Sequence, residues 1–224
     1  MSLYYVYEPP PLLCNILSES AQRVVRRVEG HNTSTFSKMG RGVKDRMKYS
    51  LDSKKVASAT REWLAKRNVR VEEIAELAMF LQKDYIPGLT LEECVENVER
   101  VLEKREVQNA ILTGIQLDIL CERGELFAPL QEMVKNDEGL YGVDEILALS
   151  IVNIYGTIGY TNFGYIDKLK PGVLQRLNDK HDGFIHTFLD DIVGAIAAAA
   201  SSRIAHARTA TLPPESEAEP APAL

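Results

Sequence analysis

The feature that most limits what this chain can become is the run from Ile192 to Ala200, built only of isoleucine, valine, glycine and alanine and entered directly from Leu189-Asp190-Asp191. A run that short does not cross a bilayer, and an aspartate pair at its mouth is costly in lipid, so it has to be buried in protein. Its small side chains let neighbouring backbones come close. A second stretch, Val143 to Tyr155, is apolar nearly all round. It is expected to be the central helix of a bundle, with the alanine-rich helix pressed against it.

Helical periodicity starts at Ser53 and continues along the chain. Val56, Ala59, Trp63 and Leu64 fall on one side of a helix capped by Asp52 or Ser53, with Trp63 as a core anchor. Ile74, Leu77, Ala78 and Leu81 mark a second helix, stopped at Pro87-Gly88. Thr90 and Glu93 have the spacing of a capping box, in which each side chain takes the other's orphan backbone donor. The helix they open carries Cys94, Val98, Val101 and Leu102 as its stripe. Glu106 to Cys121 is apolar on more than one face, Phe127 to Met133 reads as a short helix, and Asn136 to Gly142 as a turn. No segment alternates over a strand's length, and Asp182-Gly183 lacks alternating flanks. The class is all-α: a single-domain helical bundle with a central buried helix.

Charge divides the chain. Residues 21 to 70 hold 14 Lys/Arg against 4 Asp/Glu, within a net charge of -6 overall. We read 1–52 as a basic, poorly ordered N-terminal extension, 53–207 as the helical domain, and 208–224 as a disordered Pro/Ala/Glu tail. Met47, just ahead of the first well-patterned segment, is an alternative start. The opening residues lack a secretory signal. Three cysteines without CxxC spacing argue against a disulfide framework or a zinc site and fit a reducing, cytoplasmic setting. No stretch reaches about 18 uninterrupted apolar residues, so no transmembrane helix is expected.

Chemistry is expected where acids meet the two apolar stretches. Asp144 and Glu145 open one and Asp190 and Asp191 the other; alone, each pair caps its own helix and complements its dipole. Packing the two helices together gathers the pairs, and carboxylates so gathered repel unless a cation joins them. Hard oxygens of this kind suit Mg²⁺. Between them lies Ile166-Asp167-Lys168-Leu169-Lys170-Pro171-Gly172, in which Asp167 adds an acid and Lys170 a point charge for a phosphate. Tyr160, Phe163 and Phe188 are expected in the pocket wall. There is no Ser-His-Asp order and no GxxxxGK[ST] phosphate loop.

Three motifs, Val143-Asp144-Glu145, Phe163-x-x-Ile166-Asp167-x-x-Lys170-Pro171 and Leu189-Asp190-Asp191-Ile192-Val193, make residues from about Ser53 to Ala207 resemble the phosphatidylglycerophosphatase A family. Within it the resemblance is to a soluble branch that includes the low-temperature-requirement C type proteins. It implies Mg²⁺-dependent hydrolysis of the phosphate monoester of phosphatidylglycerophosphate by a metal-activated water. Asp144, Glu145, Asp167, Asp190 and Asp191 would hold the metal, Lys170 would offset phosphoryl charge, and His186 would protonate the leaving alkoxide or line the pocket. The partner is then a phosphomonoester, including a phospholipid met peripherally at the inner membrane face; a homo-oligomer is compatible with the alanine-rich faces, and no nucleic acid is expected. Two other readings stand beside it. One is a non-catalytic helical interaction module with a structural cation. The other is an all-α nucleotide pyrophosphohydrolase, drawn from the acids Glu72, Glu73 and Glu76.

Overall fold

Helix follows helix from Ser53 onward, the starts at Ser53 and Leu91 capped by the side chains just before them and the apolar stripes each facing a wall. A computed structural model describes residues 51–179 and 183–211; the expected N-terminal extension and C-terminal tail lie almost wholly outside the described residues. Among those residues no strand occurs, and the all-α class holds. The elements are α1 (Ser53–Lys66), α2 (Val71–Gln82), α3 (Leu91–Leu102), α4 (Arg105–Glu122), α5 (Leu130–Asn136), α6 (Val143–Val152), α7 (Gly156–Leu169), α8 (Val173–Asn178) and α9 (Leu189–Thr211).

The local signals act as the sequence predicts. Asp52 caps α1 by accepting from the Lys54 amide at 2.9 Å. Thr90 and Glu93 close their capping box at 3.1 and 3.2 Å. Cys94, Val98, Val101 and Leu102 are all fully buried. Trp63 is half-buried, with the Lys66 ammonium 4.5 Å from its ring centroid. The short helix predicted over Phe127 to Met133 instead occupies Leu130–Asn136. Pro129 stands immediately before it, where a residue without an amide donor costs the helix nothing, and Phe127 is left exposed.

The sequence reading puts Val143 to Tyr155 at the centre of the bundle, and the structure puts α9 there instead. Every residue from Ile192 to Ala200 is buried, and α2, α3, α4, α6, α7 and α8 all pack on α9. Alanine and glycine make this possible by keeping α9 slender. At the crossing with α4 the fit depends on Gly114, where an added Cβ would stand 2.3 Å from Ile192 Cδ1 and 3.0 Å from Phe188 Cβ. By contrast α6 buries only one side, Asp144, Ala148, Ile151 and Val152, while Ile146 is 65% exposed. Apolar character all round an isolated helix does not say which faces find a partner.

α6 and α7 are two arms of a hairpin laid along α9. Near the α9 C-terminal half, Ser202 Oγ donates to the Tyr155 carbonyl at 2.7 Å and Asn162 Nδ2 to Ser201 Oγ at 2.7 Å. A 3₁₀ turn, Asn153–Tyr155, and Gly156 at φ 76° reverse the chain there. Phe163 and Ile166 then return beside Gly194. The stretch Val143–Leu169 has the length (27 residues) and, over an 18-residue window, the mean hydropathy (1.2) that a membrane span needs, but the break at Gly156 folds it into two short arms. The hairpin carries the start of α6 and the end of α7 to the start of α9, so Asp167 meets Asp190 and Asp191 at Lys170 and Asp144 comes near enough to act on Asp191.

Candidate functional site

Lys170 is the hub. It ends α7 in the left-handed conformation (φ 45°, ψ 49°), a position that usually favours glycine, and its amide donates to the Ile166 carbonyl at 2.8 Å. A lysine there carries a backbone cost of about 1–2 kcal/mol. Its side chain offsets that cost: Nζ lies 2.6 Å from Asp167 Oδ1, 2.8 Å from Asp190 Oδ2 and 3.3 Å from Asp191 Oδ1. Burial pulls the ammonium pKa down, and the Asp190, Asp167 and Asp191 carboxylates more than reverse this, so it is raised.

One ammonium does not satisfy the acids around it. Asp190 and Asp191 are 6% exposed. Burial holds the Asp190 pKa above the ordinary carboxylate range in spite of Lys170. Burial does the same at Asp191, and the charges of Asp190, Asp167 and Asp144 add to it. Asp144, buried in the first turn of α6, is raised by burial, with Asp137 and Glu145 adding their repulsion. Glu145 itself is exposed and makes none of the ion pairs around Lys170. The structure therefore brings Asp167, Lys170, Asp190 and Asp191 together, sets Asp144 close enough to act on Asp191, and leaves Glu145 at the rim.

His186 closes the other side. Its carbonyl accepts from the Asp190 amide at 3.0 Å, and its ring shares with Asp190, Asp137 and Thr187 a cleft of about 20 Å³, room for one water. Arg67 Nη2 stands 3.3 Å from His186 Nδ1. Arg67, 3% exposed, also pairs with Glu122 at 2.7 Å, while Glu122 accepts from the Ile185 amide at 2.9 Å.

Asp118 is the residue that sequence reasoning missed. Fully buried in α4, it accepts from the amides of Phe188 and Leu189 at 3.1 Å each, and so caps α9 from another helix. Its burial raises its own pKa well above normal, against the pull of those two amides and of Arg67. A signal existed: Asp118 lies on the same face as Ile111 and Ile115, where an acid has no business without a partner. Asp137 was missed as well; it faces the cleft from a loop with no periodicity to mark it. The aromatic wall does not form as expected. Phe163 and Phe188 are core residues, and Tyr160 is exposed, donating to Asn153 Oδ1 at 2.9 Å. Of the acids behind the pyrophosphohydrolase reading, Glu73 is tied to the Arg70 amide and to Arg176 at 3.0 Å each, while Glu72 and Glu76 face solvent.

Among the described residues no three His, Cys, Asp or Glu side chains are already drawn into a metal-holding set. The donor chemistry nevertheless fits magnesium. The acids offer only hard oxygens, and the raised pKa values of Asp144, Asp190 and Asp191 register negative charge that Lys170 leaves uncompensated.

Those shifts set a pH dependence. Because the folded pKa values are raised, the folded protein binds more protons than the unfolded chain, and the associated stability is present below the ordinary carboxylate range and lost as pH rises, up to about 8 for Asp191. Asp118 and Asp144 act in the same sense, and the raised Lys170 stays charged throughout. The metal-free protein is expected to melt at least ~5 °C lower at pH 8 than at pH 5. Saturating Mg²⁺ should remove most of that difference in a melting series.

Comparison with known proteins gives the same answer as the motifs. The phosphatidylglycerophosphatase A family matches residues 68–206. The uncharacterized protein YutG of Bacillus subtilis is 68% identical over 143 residues, 64% of this chain and 86% of YutG. Of solved structures, the low temperature requirement C protein of Listeria monocytogenes superposes with TM-score 0.68 at 64% identity, covering 69% of this chain and 97% of that one. Protein YpjQ of Bacillus subtilis does so with TM-score 0.70 at 52% identity, covering 72% and 100%. Matched over most of its described length, with the acids of its motifs gathered at the head of α9, this chain belongs to the phosphatidylglycerophosphatase A family.

Proposed function

We propose that this chain is a Mg²⁺-dependent phosphomonoester hydrolase, with the headgroup phosphate of phosphatidylglycerophosphate as its substrate. Family membership suggests a phosphatase-like function, and the observation that carries the finer reading is the excess of buried carboxylate over ammonium at the head of α9. Asp144, Asp167, Asp190 and Asp191, with Glu145 at the rim, would hold the metal. When bound, Mg²⁺ supplies Lewis acidity toward phosphate oxygens and makes water a nucleophile near neutral pH. Water attacks phosphorus, the bond from phosphorus to the glycerol oxygen breaks, and that oxygen leaves with a proton. Lys170, held at the centre of the acids, offsets charge on the phosphoryl group. His186, which lines the cleft beside Asp190, would protonate the leaving oxygen or line the pocket.

A second reading has its own observation. Lys170 already reaches three carboxylates, as a cluster kept for structure alone would require. Phosphate release from phosphatidylglycerophosphate in detergent and from soluble phosphomonoesters, with Mg²⁺ and with chelator, decides between them. Release from the lipid that stops on chelation is expected. Stabilisation by Mg²⁺ with no release from any ester would leave an interaction module.

A further inference from the structure

We propose that the outer face of the α6–α7 hairpin is a self-association surface that docks the same face of a second copy. Most of the large hydrophobic side chains left exposed among the described residues fall between Leu140 and Leu169, with Val143, Ile146, Ile154, Tyr160 and Leu169 each at least 39% exposed, while Tyr165, exposed at the edge of the face, stacks on Phe80 of α2. From Ile146 to Ile166 the chain carries no charged residue, although 26% of the protein is charged. Interface cores are depleted of charge and enriched in tyrosine in this way.

The occupant follows from charge and shape. An anionic lipid surface is held by lysines and arginines beside the apolar patch. Here the patch itself has none. Its open end carries Asp144, Glu145 and Asp167, and Lys168 is the basic residue added to Lys170, which Asp167, Asp190 and Asp191 engage. A neutral face is self-complementary, and two antiparallel hairpins laid face to face make a four-helix bundle. Gly164 supplies the shape. It sits mid-helix on the exposed side of α7, and a Cβ built there meets nothing within 4 Å. Nothing among the described residues repays the ~1 kcal/mol that glycine costs a helix. A second helix approaching closely does. A face about 20 Å on each side would bury on the order of 1,000 Å² across two copies, the lower end for specific association, so a micromolar dimer is expected.

Sedimentation of the full-length protein across about 1 to 200 µM tests this. Wild type is expected to pass from monomer to dimer. Gly164→Glu, placed in open space and improving helix propensity, should keep the wild-type melting temperature while raising the dimer Kd at least ~100-fold, because its charge would be buried without a partner. Ile146→Glu should weaken the dimer likewise. A wild type that stays monomeric at the highest concentration, or a Gly164→Glu protein that dimerises as wild type does, overturns the proposal. So does binding of wild-type monomer to phosphatidylcholine vesicles that both variants lose, which would give the face to lipid.

Discussion

Asp191→Asn is expected to reduce Mg²⁺-dependent phosphate release at least ~1,000-fold and, in the same molecule, to raise the melting temperature of the metal-free protein. The two effects share one cause. Asp191 is buried, and burial, Asp190, Asp167 and Asp144 all disfavour its charge, with Lys170 alone opposing them. A carboxamide of the same shape still accepts from Lys170 Nζ, and it ends the repulsion. The gain should be ~1–2 kcal/mol, or about 3–6 °C for a domain of this size, and larger at pH 8 than at pH 5. The negative charge that destabilises the empty site is the charge a metal ion needs. The increase in melting temperature that Mg²⁺ gives wild type should therefore shrink in the variant. Unchanged phosphate release, or a fall of several degrees in the metal-free melt, would show that Asp191 is an ordinary structural carboxylate.

What could be read from the sequence divides by how far each signal acts. The capping box of Thr90 and Glu93 lies within four residues, and the stripe from Cys94 to Leu102 within one helix, and both were legible. So was the burial of Ile192 to Ala200, because nothing but a core accepts such a run. α7 was not legible as a helix. Gly156, Gly159 and Gly164 blur its pattern, and its buried positions Gly159, Phe163 and Ile166 make a stripe only once α9 is there to face it. The choice between α6 and α9 as the centre depended on which neighbours arrive, which no single-helix property contains. At the site, Asp167, Lys170, Asp190 and Asp191 came from motif spacing, and the hairpin turn at Gly156 is what brings the ends of that spacing together. Asp118 and Arg67 act on α9 and His186 across 70 and 119 residues of chain, and local pattern says nothing at that range.

Lys170→Met should be the most destabilising single change at the site, by about 3–5 kcal/mol, because it removes the ammonium that pairs with Asp167, Asp190 and Asp191 and leaves these acids facing each other in partial burial. The loss should depend on pH with a definite sign. At pH 5 the buried acids of the variant can take up protons and much of the penalty disappears; at pH 8 they must ionise or unfold the domain, so the wild-type and variant melting curves should diverge as pH rises. Mg²⁺ should stabilise Lys170→Met more than it stabilises wild type, since the ion then meets acids with no competing ammonium. Lys170→Gly separates charge from backbone. Both variants lose the ion pairs, but glycine tolerates φ 45° without the steric cost that methionine shares with lysine, so Lys170→Gly should be ~1 kcal/mol more stable than Lys170→Met at every pH. If both variants melt within about a degree of wild type at pH 8, Lys170 is not neutralising the acids, and the argument for excess negative charge at the head of α9 goes with it.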